Sequence, residues 1–504
     1  MARLKPRDLF LDYHLVYTGI EIEEVVEELI EIVKENLEGR LRDREEYKKS
    51  IQVLVLNLFN AYRTDSNMPV GIPSDSTWYS SSPLGYRTTT NSREALIEAG
   101  YIKQVRKGVH KNFGSSAIDN KFVQSRVGAY KATSKLVKYF NKLNLYSLKI
   151  NFDTFPSIRV GNKETGNIEP LRNEEYLRHK NSIKEINLYY DTIHIDLVVT
   201  DEELTKIRMQ MSSKEARDEW LETEEDVLKD LNFRRKYLHR KFHDNNYSLH
   251  GRFYGGFWQS IPSEWRHRIT INNKPTIEMD YTTMHFSMLY DLLEDKLFDK
   301  EGQALFQSNN DLYDLSAFTD WEEGSEYRKE VKLIMNYMLN CTDDEQVKAV
   351  IEKNRAKDFT NGVPKRFGTW QGLIDFIKEA HAPINHNFYT GKGLGLMFLD
   401  SLIAEKVMKR GVEEDICILT VHDSFICKLE HQGKLLNFMF DAYQEVIGAY
   451  GKSIKWDWIG IDYEAPYETL ATSDISSYLT RVQEWNWHRQ PYGDSALPIM
   501  IPLP

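Results

Sequence analysis

Asp423 is a charged residue at a place where the sequence predicts a buried sheet. The stretch DICILTVHDSFICKLE is rich in strand-forming residues and is broken in its middle by His422-Asp423-Ser424. A carboxylate inside a sheet is costly unless it is paired or bound to a metal ion, and His-Asp-Ser is typical of turns. We therefore predict a β-hairpin with Asp423 at its tip.

Asp280 is the second candidate acid, and it lies at the end of a predicted strand. The pattern predicts short strands at 268–271 and 276–279, a turn at 272–274, and a helix after Asp280 that is capped by Thr282 or Thr283. The apolar face of this helix would consist of Met284, Met288, Leu289 and Leu292. A plain turn or N-cap explains Asp280 in isolation. Facing Asp423, however, it would complete a platform for two Mg²⁺ ions, which activate a 3′-hydroxyl and stabilise a leaving pyrophosphate.

A helix between the two acids carries a polar stripe. The stretch EYRKEVKLIMNYMLNC places four polar residues at intervals of four, and these are Arg328, Lys332, Asn336 and Asn340. Its apolar face would consist of Val331, Ile334, Met335 and Met338. Two cations one turn apart repel each other unless an anion lies between them, and a triphosphate is such an anion. A solvated helix edge is the alternative interpretation.

The three elements together resemble motifs A, B and C of the family A DNA polymerases and the phage-type single-subunit RNA polymerases. Motif A corresponds to 278–290 with Asp280-Tyr281, motif B to 328–340 with Arg328-xxx-Lys332, and motif C to 420–426 with His-Asp-Ser. The resemblance covers about residues 250–430. It implies an α+β right-hand polymerase fold, in which a palm with an antiparallel sheet lies between helical fingers and a helical thumb.

The resemblance also assigns roles to individual residues. Two Mg²⁺ ions would be held by Asp280, Asp423 and the backbone of Tyr281. The incoming dNTP or NTP would be bound by Arg328, Lys332, Asn336, Asn340 and His285. The DNA primer and template would be contacted by His422, Arg252, Arg266 and Arg268.

Three departures from the family pattern leave the sugar of the product open. His285 stands where the DNA polymerases have a Glu, and Asn336 and Asn340 stand where aromatic residues are usual. We expect a DNA-directed DNA polymerase without a proofreading exonuclease that serves the replication of a phage or mobile element. A single-subunit RNA polymerase or primase is the runner-up. A DNA-binding replication protein with an inactive polymerase fold is the alternative of another class, and a metal-dependent nuclease would need more acids near Asp423.

The charge of the chain is unevenly distributed along its 504 residues. The net charge is −11, yet residues 101–150 carry 11 Lys or Arg and one acid, and residues 231–270 carry eight against two. Such blocks either grip phosphates or are solvated helix faces. The three cysteines form no CxxC pair, and no apolar run has the roughly 20 residues of a membrane helix. Without a signal-peptide pattern at the start, we expect a cytoplasmic protein with no membrane partner.

The chain length predicts two or three domains. Residues 1–150 would form a helical, winged-helix-like nucleic-acid-binding domain, with two helices in 20–60 and a loop at 64–92. Its last helix would be capped by Ser92, packed through Ala95, Leu96 and Ala99, and ended by Gly100, and a basic strand would follow. Residues 126–145 and 171–190 also look helical. Residues 151–250 would form a helical connector with a thumb-like basic stretch at 234–242, and residues 251–504 the palm and fingers.

Overall fold

The fold is mixed α/β. The computed structural model describes residues 9–37, 41–80, 82–108, 127–162, 166–211, 231–293, 311–448, 454–455, 471 and 473–488. The α-helices in these residues are α1 Glu21–Asn36, α2 Arg44–Thr64, α3 Ser76–Ser80, α4 Tyr86–Glu98, α5 Ser134–Phe140, α6 Glu174–Asp191, α7 Asp201–Met211, α8 Phe257–Ser260, α9 Met284–Asp291, α10 Arg328–Asn340, α11 Asp344–Asp358, α12 Trp370–Ala380, α13 Gly393–Glu413, α14 Gln432–Ile447 and α15 Ser476–His488. The strands are β1 Leu9–Phe10, β2 Leu15–Tyr17, β3 Val70–Ile72, β4 Ile102–Arg106, β5 Gly128–Ala132, β6 Leu148–Ile150, β7 Ile158–Asn162, β8 Gly166–Ile168, β9 Ile195–Leu197, β10 His239–His243, β11 Asn246–Tyr254, β12 Ile269–Ile271, β13 Lys274–Tyr281, β14 Leu419–Val421, β15 Ser424–Lys428 and β16 Ile454–Lys455.

The chain divides into two compact units. The first contains residues 1–156, 199–232 and 470–504, and the second contains residues 157–198 and 233–469. These units do not follow chain order, because residues 151–250 are shared between them. In the part of the chain that the structure describes, no helix combines the length and apolar character needed to cross a bilayer.

The first unit is built on α1, α2 and α4. The 3.6-residue spacing of apolar residues in α1 is confirmed, since all of them are buried, namely Ile22, Val25, Val26, Leu29, Ile30 and Val33. Strands β3, β5 and β4 form an antiparallel sheet in that order, and β1 pairs in parallel with β3. The elements α2, β3, α3, α4, β4 and β5 follow one another along the chain in this unit.

Two local predictions in the first unit were wrong. Helix α4 begins at Tyr86 rather than at Ser92, so the segment 64–92 is not one loop, and Ser92 is buried inside the helix instead of capping it. The polar residues that suggested a loop face α2, where the Ser50 hydroxyl lies 3.0 Å from that of Thr88 and 3.1 Å from that of Thr89. Tertiary hydrogen bonds therefore satisfy side chains that favour turns in isolation. Gly100 follows the helix with φ +77°, as expected of its end.

The segment 126–145 is only partly helical. Gly128–Ala132 forms β5, which pairs with both β3 and β4, and the helix α5 starts only at Ser134. Pairing with two strands outweighs the weak helical pattern of these residues. The helix expected at 171–190 is confirmed as α6.

The second unit contains the sheet that carries both candidate acids. Its strand order is β14-β15-β13-β12-β9, and β16 pairs with β13. Strands β12 and β13 form the predicted hairpin, and the turn consists of Asn272 and Asn273 with φ of 50° and 61°. Two consecutive positive φ values define a type I′ turn, which asparagine tolerates and which matches the twist of the strands.

The connector expected to be helical in 151–250 contains the helices α6 and α7 and also most of a second sheet. Its order is β11-β10-β7-β8, and α6 packs beside it. The basic stretch 234–242 runs into β10, and its Arg240 is fully buried. The Arg240 guanidinium donates to Glu405 at 2.6 Å and to Ser401 at 2.9 Å. This arginine therefore stabilises the fold and cannot lie on a thumb surface.

Candidate active site

Strand pairing brings Asp280 and Asp423 together. In the antiparallel register of β13 and β15, Asp280 lies directly opposite Ser424, the residue after Asp423. The backbone N–H of Tyr281 donates to the carbonyl oxygen of Asp423 at 3.4 Å. Both aspartates are half-buried. The backbones of the strand-end acid and of the hairpin-tip acid therefore lie close together, and the facing of their carboxylates stays a prediction.

The hairpin that presents Asp423 has the two-residue turn expected from the sequence. Val421 pairs with Ser424, so His422 and Asp423 form the turn, and His422 has φ +58°. A positive φ is uncommon for a residue with a side chain, and such strain persists only where the surroundings enforce it. Trp258 Nε1 and Gln259 Nε2 both donate to the carbonyl of Thr420 at 3.0 Å, which fixes the strand just before the turn.

The helix after Asp280 differs in two details from the prediction. Thr283 occupies the N-cap position of α9, but with φ +54° its hydroxyl does not cap the helix and instead lies 3.1 Å from that of Ser287. Leu292 was expected on the apolar face, yet it lies just beyond the helix and is 47% exposed. A β-branched residue at positive φ is strained. Asp280 and Asp423 therefore each have a residue with positive φ within three positions, namely Thr283 and His422.

An acid that the sequence analysis did not identify organises one side of the site. Asp400 on α13 is only 1% exposed. Its Oδ2 accepts from Arg252 Nε at 2.9 Å and lies 2.8 Å from His285 Nε2. Burial opposes ionisation of Asp400, but Arg252 and His285 outweigh it and lower its pKa below the ordinary value. The side chains of Arg252 and His285, predicted to contact primer or template and sugar, are thus positioned by Asp400.

The charge of Arg252 extends to the hairpin. Burial lowers the pKa of Arg252, but the carboxylates of Asp400 and Asp423 together raise it overall. Burial and the nearby Arg252 lower the pKa of His422 to about 4, against the opposing charge of Asp423. His422 is therefore neutral at physiological pH, and its ring packs edge-on against Tyr254 at 5.4 Å between centroids.

The polar stripe on α10 is confirmed as a structural feature. Its apolar face is fully buried, with Val331, Ile334, Met335 and Met338 all at 0% exposure. On the other side, Lys332 and Asn340 are exposed and Arg328 and Asn336 are half-buried. Asn336 Nδ2 donates to the carbonyl of Lys332 and Asn340 Nδ2 to that of Asn336, each at 2.9 Å.

Tyr313 connects this stripe to the acids, and nothing in the sequence indicated it. The Arg328 guanidinium lies 5.6 Å and the Lys332 ammonium 5.9 Å from the centre of its ring. Burial and the charge of Asp423 raise the pKa of Tyr313 above the ordinary value, against opposing effects of Arg328 and a hydrogen bond with Asn336. The ring of Tyr313 also packs edge-on against Phe286 of α9, the helix that follows Asp280, with 5.7 Å between the ring centres.

The remaining basic candidates, Arg266 and Arg268, lie in a short 3-10 helix, Ser263–Arg268, just before β12. Arg266 Nε lies 3.1 Å from Glu278, whose other oxygen accepts from the Ser424 hydroxyl at 2.6 Å. Arg266 is thus linked to the residue beside Asp423. Arg268 donates to the ring of His267 at 3.2 Å, and its carbonyl accepts from Val198 at 2.9 Å. Neither of these two contacts involves Asp280 or Asp423.

The donor set fits Mg²⁺. Both acids supply hard oxygen ligands, and Mg²⁺ is commonly held by one or two carboxylates with the remaining positions taken by water and substrate phosphates. Among the described residues, no group of three or more His, Cys, Asp or Glu could enclose a metal ion.

Neither a protein-family model nor a curated protein sequence matches this chain.

Proposed function

We propose that this chain is a template-directed nucleotidyltransferase, a DNA-directed DNA polymerase of family A type with a right-hand fold that replicates a phage or mobile element. The observation that carries the proposal is the register of β13 and β15, which places Asp280 beside Asp423. Tyr313 contacts both the Arg328–Lys332 stripe and α9, the helix that follows Asp280. Three elements that lie between residues 280 and 423 thus supply the acids and cations of the proposed site.

The side chains of the site have complementary tasks in this reaction. Asp280 and Asp423 hold two Mg²⁺ ions, which, when bound, activate the primer 3′-hydroxyl and stabilise the departing pyrophosphate. Arg328 and Lys332 bind the triphosphate through charge-assisted hydrogen bonds, which strengthen as charge develops on the leaving phosphates. His422, kept neutral by burial and by Arg252, is placed to contact the primer end.

Ribonucleotide polymerisation, by an RNA polymerase or primase, is the second candidate. It is favoured by the residues at the sugar-selecting positions, where amides stand in place of bulky aromatic rings. An asparagine can hydrogen-bond a 2′-hydroxyl, whereas an aromatic ring excludes it. His285 lies against Asp400 rather than filling the position as a Glu would. We expect weak sugar selection, with dNTP and NTP incorporated within about 100-fold of each other, or about 2.7 kcal/mol.

Primer extension with dNTPs and NTPs in parallel tests both candidates. The DNA-polymerase proposal expects template-dependent addition of dNTPs to a primed template, and no Mg²⁺-dependent removal of a mismatched primer end. Addition of NTPs alone, or synthesis without a primer, would favour the second candidate. If the chain binds duplex DNA but extends no primer under any condition, the result would favour a DNA-binding replication protein with an inactive polymerase fold.

The first unit supplies a second nucleic-acid contact in this proposal. In residues 101–108 and 127–150 the sequence has eight Lys or Arg and no acid. Lys103 on β4 lies directly opposite Lys131 on β5. Like charges facing each other across two strands are destabilising unless an anion lies near them, and backbone phosphates are such anions. The β4–β5 hairpin therefore fits the phosphate backbone of duplex DNA.

A further inference from the structure

We infer that Tyr313 is a positioning residue for nucleotide binding, which holds Arg328 and Lys332 in place for a triphosphate. The inference rests on the proposed nucleotidyl transfer and assigns to it a residue outside the three motifs. Tyr313 is 5% exposed, and its ring lies against α9, the helix that follows Asp280, and against the cations of α10.

The ring of Tyr313 is fixed between two helices. On one side it packs edge-on against Phe286 of α9, with 5.7 Å between the ring centres. On the other side it meets the cations of α10, with Arg328 at 5.6 Å and Lys332 at 5.9 Å. Both distances lie within the range of about 6 Å in which a cation is attracted to an aromatic face. The ring therefore offers one neutral surface to two like charges.

The side chain of Asp311, two residues before Tyr313, also holds Arg328. Asp311 forms an ion pair with the Arg328 guanidinium. The carboxylate of Asp311 also accepts a hydrogen bond from the backbone N–H of Tyr313 at 3.1 Å. The short segment 311–313 thus fixes the arginine by its charge and by the ring, so that the arginine cannot turn freely toward other acids.

Two substitutions separate the ring from the hydroxyl. Tyr313→Phe keeps the aromatic face, so we expect its apparent Kd for a nucleoside triphosphate to stay within about threefold of wild type. Tyr313→Leu removes the face, and we expect the Kd to rise about tenfold, the effect of a partly desolvated cation–π pair. The matched control is Phe318→Leu, an aromatic residue of the same segment that packs on His381.

Nucleotide binding is measured by titration calorimetry with dATP and ATP in Ca²⁺, where no turnover is needed. Weak binding by Tyr313→Leu, with wild-type-like binding by Tyr313→Phe and Phe318→Leu, is the expected result. Unchanged binding by Tyr313→Leu, or equal losses in Tyr313→Leu and Phe318→Leu, would overturn the role of Tyr313 while leaving the proposed function intact. A wild-type chain that neither binds a triphosphate nor extends a primer would overturn both.

Discussion

Replacing Asp400 by Asn tests whether the buried pair with Arg252 organises the site. The substitution keeps the shape of the side chain but leaves the Arg252 guanidinium without its counter-ion in a place where Asp400 is 1% exposed. Removing one partner of a buried ion pair costs about 3–5 kcal/mol. Arg252 is 16% exposed and can recruit some water, so we expect the lower end, about 3 kcal/mol. For a large domain this corresponds to a fall in Tm of about 6–12 °C.

The assay is calorimetric unfolding, with hydrogen exchange on peptides of α13 to locate the loss. Glu413→Gln, at the exposed end of the same helix, is the control and should stay within about 0.5 kcal/mol of wild type. Because an apolar pair often replaces a buried ion pair at little cost, Arg252→Met with Asp400→Leu should recover most of the stability. Asp400→Asn within about 1 kcal/mol of wild type would refute the reasoning.

Three further predictions concern binding and pH. Lys332→Ala should raise KM for the nucleotide and lower kcat in steady-state extension, because the lysine contacts a phosphate whose charge grows in the transition state. Lys329→Ala, on the same helix but outside the stripe, should change neither constant. Equal kinetics of the two variants would show that Lys332 is an ordinary solvated surface residue. Burial lowers the pKa of His381 to about 4, so the unfolded chain binds more protons than the folded chain below about pH 6.5. The free energy of unfolding should therefore fall as the pH drops from about 6.5 to 4, by up to about 1.4 kcal/mol per pH unit for this group. In urea unfolding at several pH values, the free energy of unfolding of His381→Gln should change less with pH than that of wild type. An unchanged pH dependence would contradict the assignment. Lys103→Glu should weaken binding of duplex DNA and reduce the salt dependence of that binding, whereas Lys49→Glu on α2 should leave both unchanged. Equal effects of the two substitutions would show that only the net charge of the chain matters, and not the position of the lysine on β4.

The sequence predicted the parts of the site that depend on local chemistry. The hairpin around Asp423 follows from a turn sequence inside a run of strand formers, and the stripe on α10 follows from helical spacing. The turn at Asn272 and Asn273 is equally local, because asparagine tolerates the positive φ that a two-residue hairpin requires. The pairing of β13 with β15 then follows once both strands exist, since two buried strand edges must be satisfied.

The residues that were missed act through contacts distant in sequence. Asp400 lies 148 residues from Arg252, and its only local sign is a charge inside the apolar stretch GLGLMFLDSLIAEKV. Such a charge, if buried, must be paired, but the sequence does not tell with what. Tyr313 had no sign at all. Likewise the polar start of α4 looked like a loop, because hydrogen bonds with Ser50 are invisible in the local pattern.

The most direct test of the account is primer extension by Asp423→Asn and Asp280→Asn beside Asp415→Asn. Asp415 is an exposed acid just before β14 with φ +56°, a conformation that asparagine also adopts, so this control changes the same charge without touching the proposed metal site. We predict that the control extends a primed template like wild type, while each of the other two variants loses at least about 100-fold in rate, or about 2.7 kcal/mol, and still binds the template. Activity above a few per cent in either variant would contradict the assignment of Asp280 and Asp423 as the carboxylates that hold the catalytic metal ions.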